Sequence, residues 1–174
     1  MIFLLYYLNL EELLAAIGGG KPLNALKLIL ESLKEEKVID GAVIFSGENF
    51  EAQILTDHHR IEGYTLKDIQ GIAKSYVYKA IEKKEEIFED DLIVRRGSKS
   101  SFFYQISSLY VCPIFDQGEI AGILYVDRLR NEQKFSKAER LWLKFLGLLF
   151  QQYIDYRNSE KLVEELYKDL WIGS

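Results

Sequence analysis

The chain has 174 residues, 48% of them hydrophobic and 28% charged, with a net charge of −5. This length suits one domain, or one domain with a helical appendage, and 12 glycines and 2 prolines are too few for a disordered chain. One cysteine excludes a disulfide framework and a cysteine-built zinc site, while 27 acids against 22 bases make the chain a poor candidate for binding nucleic acid by itself, which needs a basic face.

The opening residues, Met1 to Leu10, carry no basic n-region and only a short apolar run, so neither a signal peptide nor a membrane span is expected and the reading is cytoplasmic. Phe3, Tyr7, Leu10, Leu14 and Ile17 recur in steps of four and three, the stripe of a helix with heptad rhythm. Gly18-Gly19-Gly20 ends it, and Pro22 suits the first turn of a second helix carrying Leu23, Leu26, Leu30 and Leu33 to about Lys37. Ala42 to Phe45 and Phe50 to Thr56 flank a glycine-containing turn and read as a hairpin, with Ala52 and Ile54 on one face. Thr65 to about Lys84 reads as a helix and Ile87-Phe88 as a brief strand. Residues 57–63 and 89–101 are polar loops. Ser108 to Phe115 and Glu119 to Asp127 are the clearest strands, continuously apolar and joined by a hairpin turn at Asp116-Gln117-Gly118.

Ser136 and Glu139 have the spacing of a capping box and open a helix running to about Leu170. Its seam reads Trp142, Phe145, Leu149, Gln152, Tyr156, Ser159, Val163, Leu166 and Leu170. Leu141, Leu146, Leu148, Phe150, Tyr153 and Ile154 add a second stripe in the first half, which is expected to pack on two sides. Lysine and glutamate outnumber arginine and aspartate, and methionine occurs once, the composition of a thermophile's protein.

The order is helix, hairpin, helix, polar loop, hairpin, long helix. Together with Ser107 to Ile114, then Gly118 to Arg128, then Phe135-Ser136 opening a helix, it resembles a GAF domain. The family pattern is a strand ending in Pro and an aliphatic, a turn, Gly-aliphatic-Leu-aromatic-aliphatic, and a capped helix. The resemblance implies an α+β fold, an antiparallel sheet of five or six strands flanked by N- and C-terminal helices, with a ligand cleft between one sheet face and the loops before the last hairpin. It divides the chain into an N-terminal helix (1–20), a GAF-like sensor domain (21–158) and a helical linker (159–174). A shorter resemblance lies in Ile172-Gly173-Ser174, which is similar to the opening of the ATPase domain in NifA-like activators of sigma-54 RNA polymerase. It implies an AAA+ ATPase domain following in the same chain and, through it, sigma-54 RNA polymerase as a partner.

The residue inventory supports no catalytic triad, paired carboxylates or metal set, so the expectation is a non-enzyme without a cofactor that senses an unidentified small molecule. Arg95 and Arg96 with Ser98, followed by Phe102 and Phe103, read either as a solvated loop or as an anion-recognising lip, since guanidinium groups grip carboxylate or phosphate bidentately. His58, His59 and Arg60 border it from the other hairpin. Cys112 reads as a small buried hydrophobe and Tyr125 as a core residue, and both are candidates for the ligand pocket. Methionine sulfoxide reductase activity, known in some GAF domains, needs more than one cysteine. Cyclic-nucleotide-binding members carry Asn-Lys, Phe and Asp-Glu where this chain has Asp127-Arg128, Phe135 and Glu139-Arg140, with Arg128 and Glu139 able to keep an ion pair. A homodimer is expected through Phe3, Tyr7, Leu10, Leu14, Ile17, Val163, Leu166 and Leu170, with parallel C-terminal helices. The alternatives are a ligand-free dimerisation module and a cyclic-nucleotide-binding domain of another signalling protein.

Overall fold

The computed structural model describes residues 22–57, 61–92, 105–129 and 134–172, with the side chains of residues 22, 160 and 162–172 outside the description. The elements in chain order are α1 (Pro22–Glu35), β1 (Gly41–Ser46), β2 (Glu51–Leu55), α2 (Lys74–Lys83), β3 (Ile87–Glu89), β4 (Ile106–Asp116), β5 (Glu119–Leu129) and α3 (Lys137–Ile172). The strands form one antiparallel sheet in the order β2-β1-β5-β4-β3. Its central strands β1, β5 and β4 are the apolar runs that the sequence marks, buried on both faces. The α+β architecture expected from the sequence is therefore present, with five strands among the described residues. No helix among them is long and apolar enough to cross a membrane.

Alternation along the strands separates two apolar clusters. Ala42, Ile44, Tyr110, Ile114, Leu124 and Val126 face α1 and α3, where Leu26, Ile29, Leu30, Leu33, Leu143, Leu146, Phe150 and Ile154 cover them. Val43, Phe45, Leu109, Val111, Ile123 and Tyr125 face the other way, toward residues 61–73 and α2. Both faces thus bury full-sized side chains, each contributing about 1.5–3 kcal/mol.

Three expectations need correction. Ala52 and Ile54 do not share a face: Ile44 pairs with Ile54 but Phe45 with Ala52, so Gln53 is the extra residue of a β-bulge. Ile54 joins the helix-side cluster and Ala52 packs against the other. The helix expected over 65–84 is confined to Lys74–Lys83. Before it, Thr65 makes a tight turn, accepting from Asp68 N at 3.2 Å and donating to Asp68 Oδ2 at 2.8 Å. Glu62 and Gln70 then exchange two backbone hydrogen bonds, at 3.3 and 2.7 Å, and Gly71 takes a φ of 84°, so the helical path is closed until Ala73. The first half of α3 packs on one side of this chain only. Leu143, Leu146, Leu149, Phe150 and Ile154 turn inward, while Leu141 and Leu148 stay 61% and 66% exposed. Residues 141, 145 and 148 lie on the helix face opposite 143, 146 and 150 at about 100° per residue.

The capping box forms as the spacing demands. Ser136 N donates to Glu139 Oε2 at 2.7 Å and Glu139 N donates to Ser136 Oγ at 3.2 Å. Further along, the Gln151 amide bonds both backbone groups of Phe115, at 3.0 and 2.7 Å, beside the irregularity between Ile114 and Phe115. Arg140 and Lys144 pair with Asp90 and Glu86, which flank β3. Phe3, Tyr7, Leu10, Leu14 and Ile17 lie outside the described residues. Val163, Leu166 and Leu170 fall on the α3 backbone, their side chains outside the description.

Gly63 shows how tightly the 61–73 segment folds. Its φ is 102°, and a Cβ there would lie 2.8 Å from Ile69 Cα. Gly63→Ala is expected to destabilise the domain by about 2 kcal/mol or more, read as a lower urea midpoint at unchanged slope.

Candidate functional site: the loop-covered face

β5 presents Ile123, Tyr125 and Asp127 on the face covered by residues 61–73 and α2. Tyr125 and Asp127 are both fully buried. The Tyr125 hydroxyl donates to Asp127 Oδ2 at 2.7 Å and accepts from Ala73 N at 3.1 Å. Ala73 is the N-cap of α2 and has no side chain able to cap. One hydroxyl therefore ties the start of α2 to a carboxylate on the central strand. A buried carboxyl group is costly unless it is hydrogen-bonded, and the Tyr125 hydroxyl supplies such a bond. From sequence, Asp127 was named only as a departure from the cyclic-nucleotide pattern, not as a partner of Tyr125. Period-two alternation from Tyr125 was the signal that could have placed it there.

At the β2 edge a cleft of about 430 Å³ opens between Ala52, Gln53 and Leu55 on the strand and Ile61, Glu62, Gly63 and Tyr64 on the loop. This volume falls in the range of small-ligand pockets. The lining mixes apolar walls with the Gln53 amide, the Glu62 carboxylate and the exposed Tyr64 ring, groups suited to orienting a small polar molecule. Ile61 N donates to Asp57 O at 3.0 Å.

His58, His59, Arg60, Arg95, Arg96, Ser98, Phe102 and Phe103 lie outside the described residues. The flanks of the arginine segment are described: Leu92 and Ile106 are both fully buried in the loop-side cluster. Cys112 and Tyr125, grouped as pocket residues from sequence, are separated by the sheet. Cys112 packs with the helix-side cluster, under α3, where a Cβ on Gly147 would lie 3.0 Å from its Sγ. The two cannot line one pocket, because residues on adjacent strands in this register point to opposite faces. Burial pushes the Cys112 thiol up from its usual value; Glu86 adds to this, and the Tyr110 hydrogen bond and Lys144 oppose it. Burial likewise holds the Tyr110 hydroxyl protonated far above its usual range.

Arg128, Phe135 and Glu139 lie on the helix side. Arg128 Nη2 meets Glu139 Oε1 at 2.9 Å, and its guanidinium lies 4.5 Å from the centre of the Phe135 ring. The ion pair is present, and it holds the fold rather than lining the cleft. Among the described residues no group of three or more His, Cys, Asp or Glu side chains could hold a metal ion.

No protein-family model and no curated protein matches the sequence. Solved structures do. The GAF domain of a two-component sensor histidine kinase from Bacillus halodurans is similar over 80% of this chain and 95% of that one, at 14% identity and a TM-score of 0.59. The GAF domain of A. aeolicus nlh2 in an inactive state is similar over 85% of this chain and 98% of that one, at 15% identity and a TM-score of 0.53. The fold is that of a GAF domain. A type II free methionine-R-sulfoxide reductase from Thermoplasma acidophilum has a similar structure, at 16% identity and a TM-score of 0.55 over 77% of this chain and 92% of that one. The GAF fold thus occurs among both regulatory domains and enzymes.

The Cys112 environment makes a direct prediction. Alkylation by iodoacetamide at neutral pH is expected to run at least about tenfold slower in the native protein than in urea, because the thiolate is the reactive form. Equal rates would place the thiol at the surface.

Proposed function

We propose that this GAF domain is a small-molecule-sensing regulatory domain of a bacterial sigma-54-dependent transcriptional activator. In this reading an effector on the loop-covered face biases α3. The helix then carries the bias to an attached AAA+ ATPase domain of the same chain, and through it to sigma-54 RNA polymerase. The observation that carries the reading is the continuity of α3. Its first half supplies Leu143, Leu146, Phe150 and Ile154 to the core, and the same helix continues to Ile172, about 27 Å beyond Ile154. The resemblance of Ile172-Gly173-Ser174 to an ATPase-domain opening supports the output. The similar fold in a sensor histidine kinase supports a signalling role.

The domain works in the cytoplasm as a homodimer with parallel α3 helices. The exposed stripe of Leu141, Phe145, Leu148 and Tyr156 supports this, since isolated apolar helix faces seek a partner. Phe3, Tyr7, Leu10, Leu14 and Ile17 join Val163, Leu166 and Leu170 in the same interface. Catalysis has no part in this reading. Thiol reduction of a sulfoxide leaves a sulfenic acid for a second thiol to resolve, and Cys112 is the only cysteine.

The test is a melting-temperature screen of the chain against anionic metabolites, cyclic nucleotides included. A ligand at about 100 times its Kd stabilises by about 2.7 kcal/mol, which raises the melting temperature by roughly 5–10 °C in a domain of this size. The Arg95→Ala, Arg96→Ala double variant is expected to bind the hit at least about tenfold more weakly. A chain that sediments at twice 20.2 kDa but responds to no metabolite is a dimerisation module instead.

A further inference from the structure

We propose that β5 acts as a lever through the sheet, linking the 61–73 segment on one face to the capping box of α3 on the other. This deepens the sensor reading and rests on it, because it names the route by which occupancy of the loop-covered face reaches the output helix.

The route begins at the cleft. Glu62 and Gln70 exchange backbone hydrogen bonds, and Gly63 packs directly on the Ile69 backbone. A displacement of residues 62–64 is therefore passed along the segment to Ala73 rather than absorbed. Ala73 N donates to the Tyr125 hydroxyl, which donates to Asp127. Asp127 and Arg128 are neighbours on an extended strand, so their side chains leave opposite faces. They are 0% and 3% exposed, so neither can swing into solvent to absorb a shift. Asp40 grips the β1-facing edge of the strand here at two points: its N–H donates to Asp127 O at 2.9 Å, and its Oδ2 accepts from Leu129 N at 2.7 Å.

On the helix side Arg128 donates to Val38 O from Nε and Nη2, at 2.9 and 2.7 Å, and from Nη2 to Glu139 Oε1 at 2.9 Å. Glu139 divides its carboxylate between two tasks. Oε1 takes the arginine and Oε2 takes Ser136 N, the bond that starts α3. Moving Arg128 thus competes with the cap. No other arginine–carboxylate pair described touches a helix-capping hydrogen bond.

A double-mutant cycle tests the link without any ligand. Tyr125→Phe removes the loop-side hydroxyl, and Glu139→Gln removes the helix-side charge while keeping an N3 amide. The two sites share no contact and lie on opposite faces, so independent effects would multiply in the unfolding equilibrium constant. The lever predicts a departure from that product of at least about fivefold. It also predicts that in Tyr125→Phe alone the amides of Arg140, Leu141 and Trp142 exchange at least about fivefold faster, with those of β2 unchanged. This second measurement stands even if the double variant fails to fold. A multiplicative cycle or unchanged exchange in α3 overturns the lever, while leaving the outcome of the metabolite screen untouched.

Discussion

The Arg128 guanidinium holds three parts of the domain at once. Its side chain is 4% exposed, lies over Phe135, bonds the Val38 carbonyl and pairs with Glu139. A guanidinium taken out of water loses several kcal/mol of hydration, and this is offset only by good geometry at every donor. Arg128 obtains that geometry from three elements that must each be in place. Two residues past the end of α1, Lys37 takes a positive φ, and the Val38 carbonyl that follows faces the Arg128 guanidinium of β5. β5 supplies the arginine, and the capping box of α3 supplies the carboxylate. The meeting point of α1, β5 and α3 is therefore fixed by one side chain rather than by apolar packing alone.

Around this point the sheet does two kinds of work. Its helix side is a close-packed core of leucine, isoleucine and phenylalanine. Its loop side is built from smaller contributions: one short helix, a segment of turns, and the buried pair of Tyr125 and Asp127. The strands carry irregularities along this division. The bulge at Gln53 switches which residues of β2 face the loops and borders the cleft. The irregularity near Phe115 lies where Gln151 of α3 bonds the strand.

Much of this was legible in the sequence because it is written in local patterns. Continuous apolar runs marked β4 and β5, and Ser136 with Glu139 marked the start of α3. The resemblance to the signature of cyclic-nucleotide-binding GAF domains anticipated the Arg128–Glu139 ion pair. What was not legible depends on contacts distant in sequence. Helical periodicity over Thr65 to Lys84 is genuine, yet the Glu62–Gln70 exchange and the positive φ of Gly71 override it. The face of Ala52 was misread because a bulge leaves no compositional trace. Cys112 and Tyr125 look alike as polar residues in apolar strands, and only pairing register separates them. Asp127 was read as a departure from a family pattern, although alternation already set it beside Tyr125.

The central role given to Arg128 is tested most directly by native-state hydrogen exchange on Arg128→Met. With the guanidinium gone, the Val38 carbonyl and the Glu139 carboxylate lose their shared donor while the apolar sheet contacts remain. Protection of the first two turns of α3 is expected to fall at least about tenfold, with β4 and β5 amides little changed. Retained protection in those turns would show that apolar packing alone seats α3, and would contradict the account.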